Sequence, residues 1–288
     1  MYTLVTKIYS LLGILLVIFF ESCDGNLIAE SEPELVVEGW IENDKNPIVM
    51  VSSTIPLQGD FQYADDLGAY TIKSAEVTVS NGEREVLLKG TKSSSYPSSF
   101  IYTTTDMVGE IGKNYKLTVN YKQYHAEATT NIVNLPCVDT LLVEPSEGKD
   151  TLYQVKAFLR DTEEKGNYYK IFTMIHPGDT YYLSYVGSTF RDKILNLHKE
   201  GISVFPGHNF SEEDYQSDFT LHDSLYVKIA QIDEDGYAYW YDFEDMFVTV
   251  SNPIFPIRFN VRSNIKGGKG YWCGYAAIEK LIVFADYR

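Results

Sequence analysis

Ala75-Glu76-Val77-Thr78-Val79-Ser80-Asn81-Gly82-Glu83-Arg84-Glu85-Val86-Leu87-Leu88 is the stretch on which the reading of the fold turns. Ala75, Val77 and Val79 alternate with Glu76, Thr78 and Ser80. A period of two places one side of an extended chain on a core and leaves the other polar. Asn81-Gly82 follows at once and is a strong hairpin signal, because a two-residue turn demands positive φ at both positions. Val86 and Leu88 supply the return strand.

The same rhythm continues outward. Leu35, Val37 and Ile41 lie on one face of an early strand, with Glu38 and Glu42 on the other. Tyr115-Leu117-Val119-Tyr121 alternate with Lys116, Thr118 and Asn120, and Tyr124-Ala126-Ala128 with His125, Glu127 and Thr129; Ser93 to Ser99 forms a polar loop. Tyrosine is abundant, with 23 copies against 15 Phe and 3 Trp, as suits β-sheet. The expected architecture is mainly β, beginning with an immunoglobulin- or transthyretin-like β-sandwich over residues 34–134.

Asn134-Leu135-Pro136 ends that pattern and marks the expected boundary. A second β-rich domain with one short helix is expected over residues 138–288. Its strands are Tyr153-Val155-Ala157-Leu159, Tyr169-Ile171-Thr173-Ile175, Tyr181 to Val186 and Leu225-Val227-Ile229. Lys193 to Asp218 reads as a long surface excursion. Asp233-Glu234-Asp235 precede Trp240, Phe243 and Phe247, which predicts a helix near 235–248 that Asn252-Pro253 stops. Two further strands, Ile257-Phe259-Val261 and Ile278 to Ala285, flank the glycine-rich stretch Asn264 to Tyr271.

The first residues read as a targeting segment. Lys7, the 13-residue apolar run Ile8 to Phe20 and then Ser22-Cys23 are the parts of a secretory signal over residues 1–22. The run is short of the roughly 20 residues a spanning helix needs. Cys23 sits where a bacterial lipobox places its acylated cysteine, and residues 23–33 form a polar tether. Two acyl chains or more anchor stably where one is marginal, so contact with the membrane would be through lipid alone. Cys137 and Cys273 remain, either bridged in an oxidising compartment or buried separately as thiols.

The formal net charge is −16, from 24 basic and 40 acidic residues. Removal of residues 1–22 takes one of each, Lys7 and Glu21, and leaves it unchanged. Nucleic-acid binding needs the opposite surplus and is excluded. Gly267-Gly268-Lys269-Gly270 lacks the Ser/Thr of a phosphate loop and reads as a tight turn. The five histidines are scattered, with no metal-ligand spacing. Asp233-x-Asp235 has Tyr237 and Ala238 where a calcium loop needs a ligand and a glycine, so those acids begin a helix instead. No catalytic residues, metal site or cofactor are assigned, although carboxylate pairs drawn from distant segments stay open. The aromatic clusters are the candidate ligand-binding residues: Tyr237, Tyr239, Trp240, Tyr241, Tyr271 and Trp272. Their flat faces and polar tips suit a sugar or a peptide, and equally the rim of a β core.

Taken together, Leu35-Val36-Val37-Glu38-Gly39-Trp40-Ile41, Gly112-x-x-Tyr115-x-Leu117-x-Val119, Asn167-Tyr168-Tyr169 after a turn containing Asp161, and Asn264-Ile265-x-Gly267-Gly268-x-Gly270-Tyr271 resemble the Bacteroidetes lipoproteins of the domain-of-unknown-function 4249 family. The resemblance covers nearly the whole chain beyond Cys23. It implies an outer-membrane-anchored lipoprotein accessory to nutrient uptake, binding a glycan, a peptide or a TonB-dependent receptor, and it brings no catalytic residues with it. The alternatives are a surface hydrolase with dispersed carboxylates and a structural or adhesin module.

Overall fold

A computed structural model describes residues 33–54, 68–160, 166–192, 199–207, 215–250 and 261–287. Cys23, Asp161, Asn252-Pro253 and most of the strand expected at 257–261 lie outside these. In the first half the strands are β1 (Leu35–Glu42), β2 (Ile48–Ser53), β3 (Glu76–Ser80), β4 (Glu85–Leu87), β5 (Lys89–Lys92), β6 (Phe100–Thr103), β7 (Asn114–Tyr121) and β8 (Tyr124–Asn131). There follow β9 (Val138–Ser146), β10 (Lys149–Leu159), β11 (Tyr168–His176), β12 (Thr189–Arg191), β13 (Ile202–Val204), β14 (Phe219–Thr220) and β15 (Ser224–Ile232). Helix α1 (Glu234–Val250) and the long strand β16 (Lys269–Val283) complete the order.

The protein is mainly β, with three sheets and, among the described residues, one α-helix. The largest sheet has eight strands in the order β12-β11-β15-β16-β1-β2-β6-β5. β16 is its keystone. Its first part runs parallel to β1, from Val36 beside Lys269 to Glu42 beside Tyr275. Its second part runs antiparallel to β15, from Gln231 beside Ala276 to Ser224 beside Val283. Strands from both sides of the Asn134-Leu135-Pro136 segment therefore belong to one sheet.

Two smaller sheets back the same face of this large one. Sheet β4-β3-β7-β8 packs on the first half, where Val37, Ile41, Val49 and Val51 meet Val77, Val79, Leu117 and Val119. On the second half, β10 carries β9 along one edge and the short β13 and β14 along the other. There Tyr153, Val155 and Ala157 meet Ile171, Val227 and Ile229. Even-numbered β16 residues feed both cores: Trp272 and Ala276 the first, Ile282 the second. Alternation along one strand places all three on one face.

The hairpin at Asn81-Gly82 forms, with a different turn from the two-residue one expected. Ser80 pairs with Glu85, so the loop has four residues, and only Gly82 takes positive φ. Asn81 Oδ1 accepts the amides of Glu83 and Arg84 at 3.1 and 3.0 Å and closes the loop. The expected surface excursion at 193–218 contains β13, whose Ile202 and Val204 are buried against β10.

Helix α1 begins as its acids predict. Asp233 is the N-cap: Oδ1 accepts the Gly236 amide at 2.8 Å, and Oδ2 reaches Thr130 Oγ1 and the Asn131 amide on β8 at 2.6 and 3.2 Å. Gly236 has no side chain because a Cβ there would strike Cys273 Sγ. The glycine-rich stretch is a turn. Gly267 takes positive φ where a Cβ would strike the His125 carbonyl, and Gly270 does so against Val37.

Candidate functional site

The face of the large sheet opposite the two cores holds a cavity of about 890 Å³. Its floor follows from register. Odd-numbered residues of β16, with Glu38, Trp40 and Glu42 of β1, point to this side; Tyr271 and Met50 flank Glu38, and Tyr275 sits beside Glu42. Phe172 of β11 lies beside Lys228 of β15. α1 supplies one wall through Trp240 and Phe243, and the 95–97 and 180–184 loops bring in Tyr96, Tyr181 and Tyr182.

The aromatic side chains brace one another. Trp240 meets Phe172 edge-on at 5.5 Å between centroids and Tyr271 at 5.2 Å, and its Nε1 donates to the Tyr275 hydroxyl at 3.0 Å. Trp40 leans on Tyr96 at 5.8 Å. Such contacts fix the rings before any ligand arrives and leave flat apolar faces toward the void.

Four charged side chains close a network at one part of the floor. Buried Glu42 pairs with Lys228 and with Lys45, each at 2.7 Å. Glu279 pairs with Lys45 at 2.5 Å and Lys228 at 3.4 Å. Burial pushes the Glu279 carboxyl up, but the Lys45 hydrogen bond and the charge of Lys228 outweigh it, so Glu279 lies below the ordinary carboxylate value. Lys228 also sits 4.2 Å from the centre of the Tyr182 ring. Burial, with the carboxylates of Glu279 and Glu42, pushes the Tyr182 phenol well up. Glu38 stands apart: burial alone raises its carboxyl, and it has no ion pair or hydrogen bond among the described residues.

A second buried cluster lies behind Trp240. Lys170 is fully buried and donates from Nζ to Glu244 at 2.5 Å, Ser188 at 2.5 Å and Ser184 at 2.6 Å. Nζ also lies 4.5 Å from the Trp240 ring centre. Burial holds Lys170 down at about 8, against the pull of Glu244. This cluster ties α1 to β11 and to the loop before β12, and so positions the Trp240 wall.

The six aromatic residues singled out in the sequence divide. Trp240 and Tyr271 line the cavity, and buried Tyr239 packs beneath them, 4.4 Å from the Tyr271 ring. Tyr237 packs at a tilt against Tyr168, 4.6 Å between ring centroids, and Tyr241 is exposed beside Tyr237. Trp272 faces the other way, fully buried in the first core with its indole N–H on the Tyr115 carbonyl at 3.0 Å. Strand parity separates it from Tyr271. Cys137 and Cys273 are not brought together: both are free thiols, Cys137 exposed before β9 and Cys273 buried under Gly236. Sequence reasoning missed Glu38, Trp40, Tyr96 and Lys228 as cavity residues; the signal for the first two was their position opposite Leu35, Val37 and Ile41. Among the described residues no cluster of His, Cys, Asp and Glu forms a metal site, and no helix is long and apolar enough to cross a membrane.

Two β-sandwiches share one sheet, and an aromatic cavity lies on its far face. The family described as Domain of unknown function (DUF4249) matches residues 23–280, and the chain belongs to it. Comparison with curated proteins finds no match.

Proposed function

We propose that this protein is an outer-membrane-anchored lipoprotein of the Bacteroidetes type, held by acyl chains on Cys23, that binds a glycan or peptide in the cavity on behalf of a TonB-dependent receptor. The observation that carries the reading is the cavity itself, about 890 Å³ with pre-braced aromatic walls, a size and lining typical of small-ligand sites. The sequence Lys7 to Cys23 supports the anchor, and the family resemblance supports the receptor. The role is binding rather than hydrolysis. What favours binding is that Glu42 and Glu279, two of the acids at the cavity, are committed to Lys45 and Lys228 rather than poised as an acid–base pair.

Trp40 and Trp240 give the assay a built-in reporter. Titration of the protein with oligosaccharide and short-peptide panels should change tryptophan fluorescence, and Met50→Trp, which fills the floor, should abolish the response. A panel that binds equally well to Met50→Trp would move the ligand out of the cavity. Release of cleaved sugar by the wild-type protein would overturn the non-enzymatic role. Mild detergent extraction should co-purify a TonB-dependent receptor, and its consistent absence would remove that partner.

A further inference from the structure

The charges around the cavity do not cancel: Asp44 is exposed and left to water, and the unmatched carboxylate on the floor is Glu38. Glu42 and Glu279 are matched by Lys45 and Lys228, two acids against two bases, all within 3.4 Å of a partner. Glu38 has no such match among the described residues. Its neighbours on the floor are Tyr271 and Met50, with Trp40 two residues along the strand. Glu38 is half-buried, and a carboxylate set among apolar and aromatic groups loses part of its hydration and, among the described residues, gains nothing in return, so it is retained at a cost unless something outside the chain completes it.

We infer that the cavity takes a ligand bearing a single ammonium or guanidinium group on an apolar body, with Glu38 as its counter-charge and the surrounding rings as its cation-binding faces. This rests on the reading of the cavity as a binding site. The protein itself uses the same pairing nearby: Lys170 lies over Trp240 at 4.5 Å and Lys228 over Tyr182 at 4.2 Å. A cation on an aromatic face is attracted by the ring quadrupole, and more strongly when water is excluded. The net charge of −16 adds a long-range pull on cations and opposes anions. A neutral sugar would leave Glu38 without a counter-charge; a lysine- or arginine-bearing peptide, or a free organic amine, would supply one.

The test uses matched probes on the intact protein. Phenethylamine, 2-phenylethanol and 3-phenylpropionate share a body and differ in charge; an acetylated, amidated Ala-Arg-Ala peptide and its citrulline counterpart form a second set. Calorimetry should show the cation favoured over its neutral partner by about tenfold or more, with the anion weakest. Glu38→Gln should erase that preference and leave 2-phenylethanol within about twofold. The variant removes an unmatched charge and keeps the shape, so folding is preserved, and circular dichroism checks it. Affinity for the cation should fall as acid protonates Glu38, a dependence absent in Glu38→Gln. The other ionisable groups at the cavity include Tyr271 and Tyr239, whose phenols burial holds neutral, the internally paired Glu42, Lys45 and Lys228, and the exposed Asp44.

Persistence of the preference in Glu38→Gln, or equal binding of all three charges by the wild type, would overturn the inference. If neutral probes still bind in a manner that Met50→Trp abolishes, the cavity stands as a site and only its charge selectivity falls. If no probe responds to Met50→Trp, the cavity reading fails as well. Preference for the peptide over phenethylamine would identify the basic side chain of a peptide as the source of the cation, and the reverse a free amine.

Discussion

Glu244→Gln should destabilise the protein by about 3 kcal/mol, a figure that follows from the geometry around Lys170. The ordinary value for lysine is 10.5, and the folded state holds Lys170 at about 8. At 1.36 kcal/mol per unit, burying a neutral Lys170 at pH 7 costs about 5 kcal/mol relative to the unfolded chain, and protonation beside Glu244 returns about 1 kcal/mol of it. Removing the carboxylate forfeits that return. Gln also cannot reproduce the acceptor pattern. Oε1 of Glu244 accepts from Lys170, Ser188 and Thr189 Oγ1, while Oε2 accepts the Gly187 amide at 2.8 Å. An NH2 on either side faces donors, which adds about 2 kcal/mol. Urea unfolding followed by tryptophan fluorescence and circular dichroism reads the loss as a midpoint lowered by about 1 M. The pH dependence identifies the lysine. Stability rises with pH wherever the unfolded chain holds more protons, here from about 8 towards 10.5 in the wild type and from lower pH in the variant. The gap between the two should therefore narrow by about 1 kcal/mol from pH 7 to pH 9.5. Lys170→Met with Glu244→Leu should cost less than Glu244→Gln alone. A midpoint shift under about 0.3 M, or a gap that widens with pH, would refute the reasoning.

Three further outcomes are expected. Iodoacetamide should alkylate Cys137 in the native protein, whereas Cys273, whose thiol burial pushes far above its ordinary value, should react only after unfolding; a Cys137–Cys273 peptide in a non-reducing digest would contradict this. Gly274→Ala should lose about 2 kcal/mol, because a Cβ there would press 2.5 Å from the Asn131 carbonyl where β16 crosses β8; a neutral melting temperature would show that the strands can part. Asp233→Ala removes the helix cap and both bonds to β8, so thermal unfolding should report a loss of about 2 kcal/mol, and Asp233→Asn should recover part of it.

Local alternation carried most of the strands, because a period of two is a short-range property. Leu35, Val37 and Ile41 on β1, Tyr153 to Leu159 on β10 and Leu225, Val227 and Ile229 on β15 all reach the cores on the expected face. Helix α1 was legible for the same reason, since its cap and its apolar spacing are adjacent in sequence. The joining of the two halves was not legible in this way. β1 and β16 pair in parallel across more than two hundred residues, and no local pattern encodes such a partner. A trace of it was present: Tyr271-Trp272-Cys273-Gly274-Tyr275-Ala276-Ala277 is continuously apolar, the mark of a strand covered on both faces, and the alternation rule passes over it.

The site was harder still, and for a definite physical reason. Parity assigns Glu38 and Glu42 to the face opposite the core but does not say whether that face meets water, a helix or a cavity. Glu42 looks like an ordinary solvated acid until Lys228, remote in sequence, arrives 2.7 Å away. Glu38 differs in that nothing arrives among the described residues. A single sequence cannot distinguish a carboxylate whose partner is distant from one whose partner is absent, and only the assembled register shows which is which. Because β1 holds both acids on one face, exchanging their environments is a sharp check on that argument. Glu42→Gln leaves Lys228 with only the longer 3.4 Å pair to Glu279 and should cost about 2 kcal/mol, whereas Glu38→Gln relieves an unmatched charge and should leave the melting temperature at pH 7 unchanged or raised. If the two substitutions destabilise equally, Glu38 is already satisfied within the fold, and the cavity has no charge left to offer a ligand.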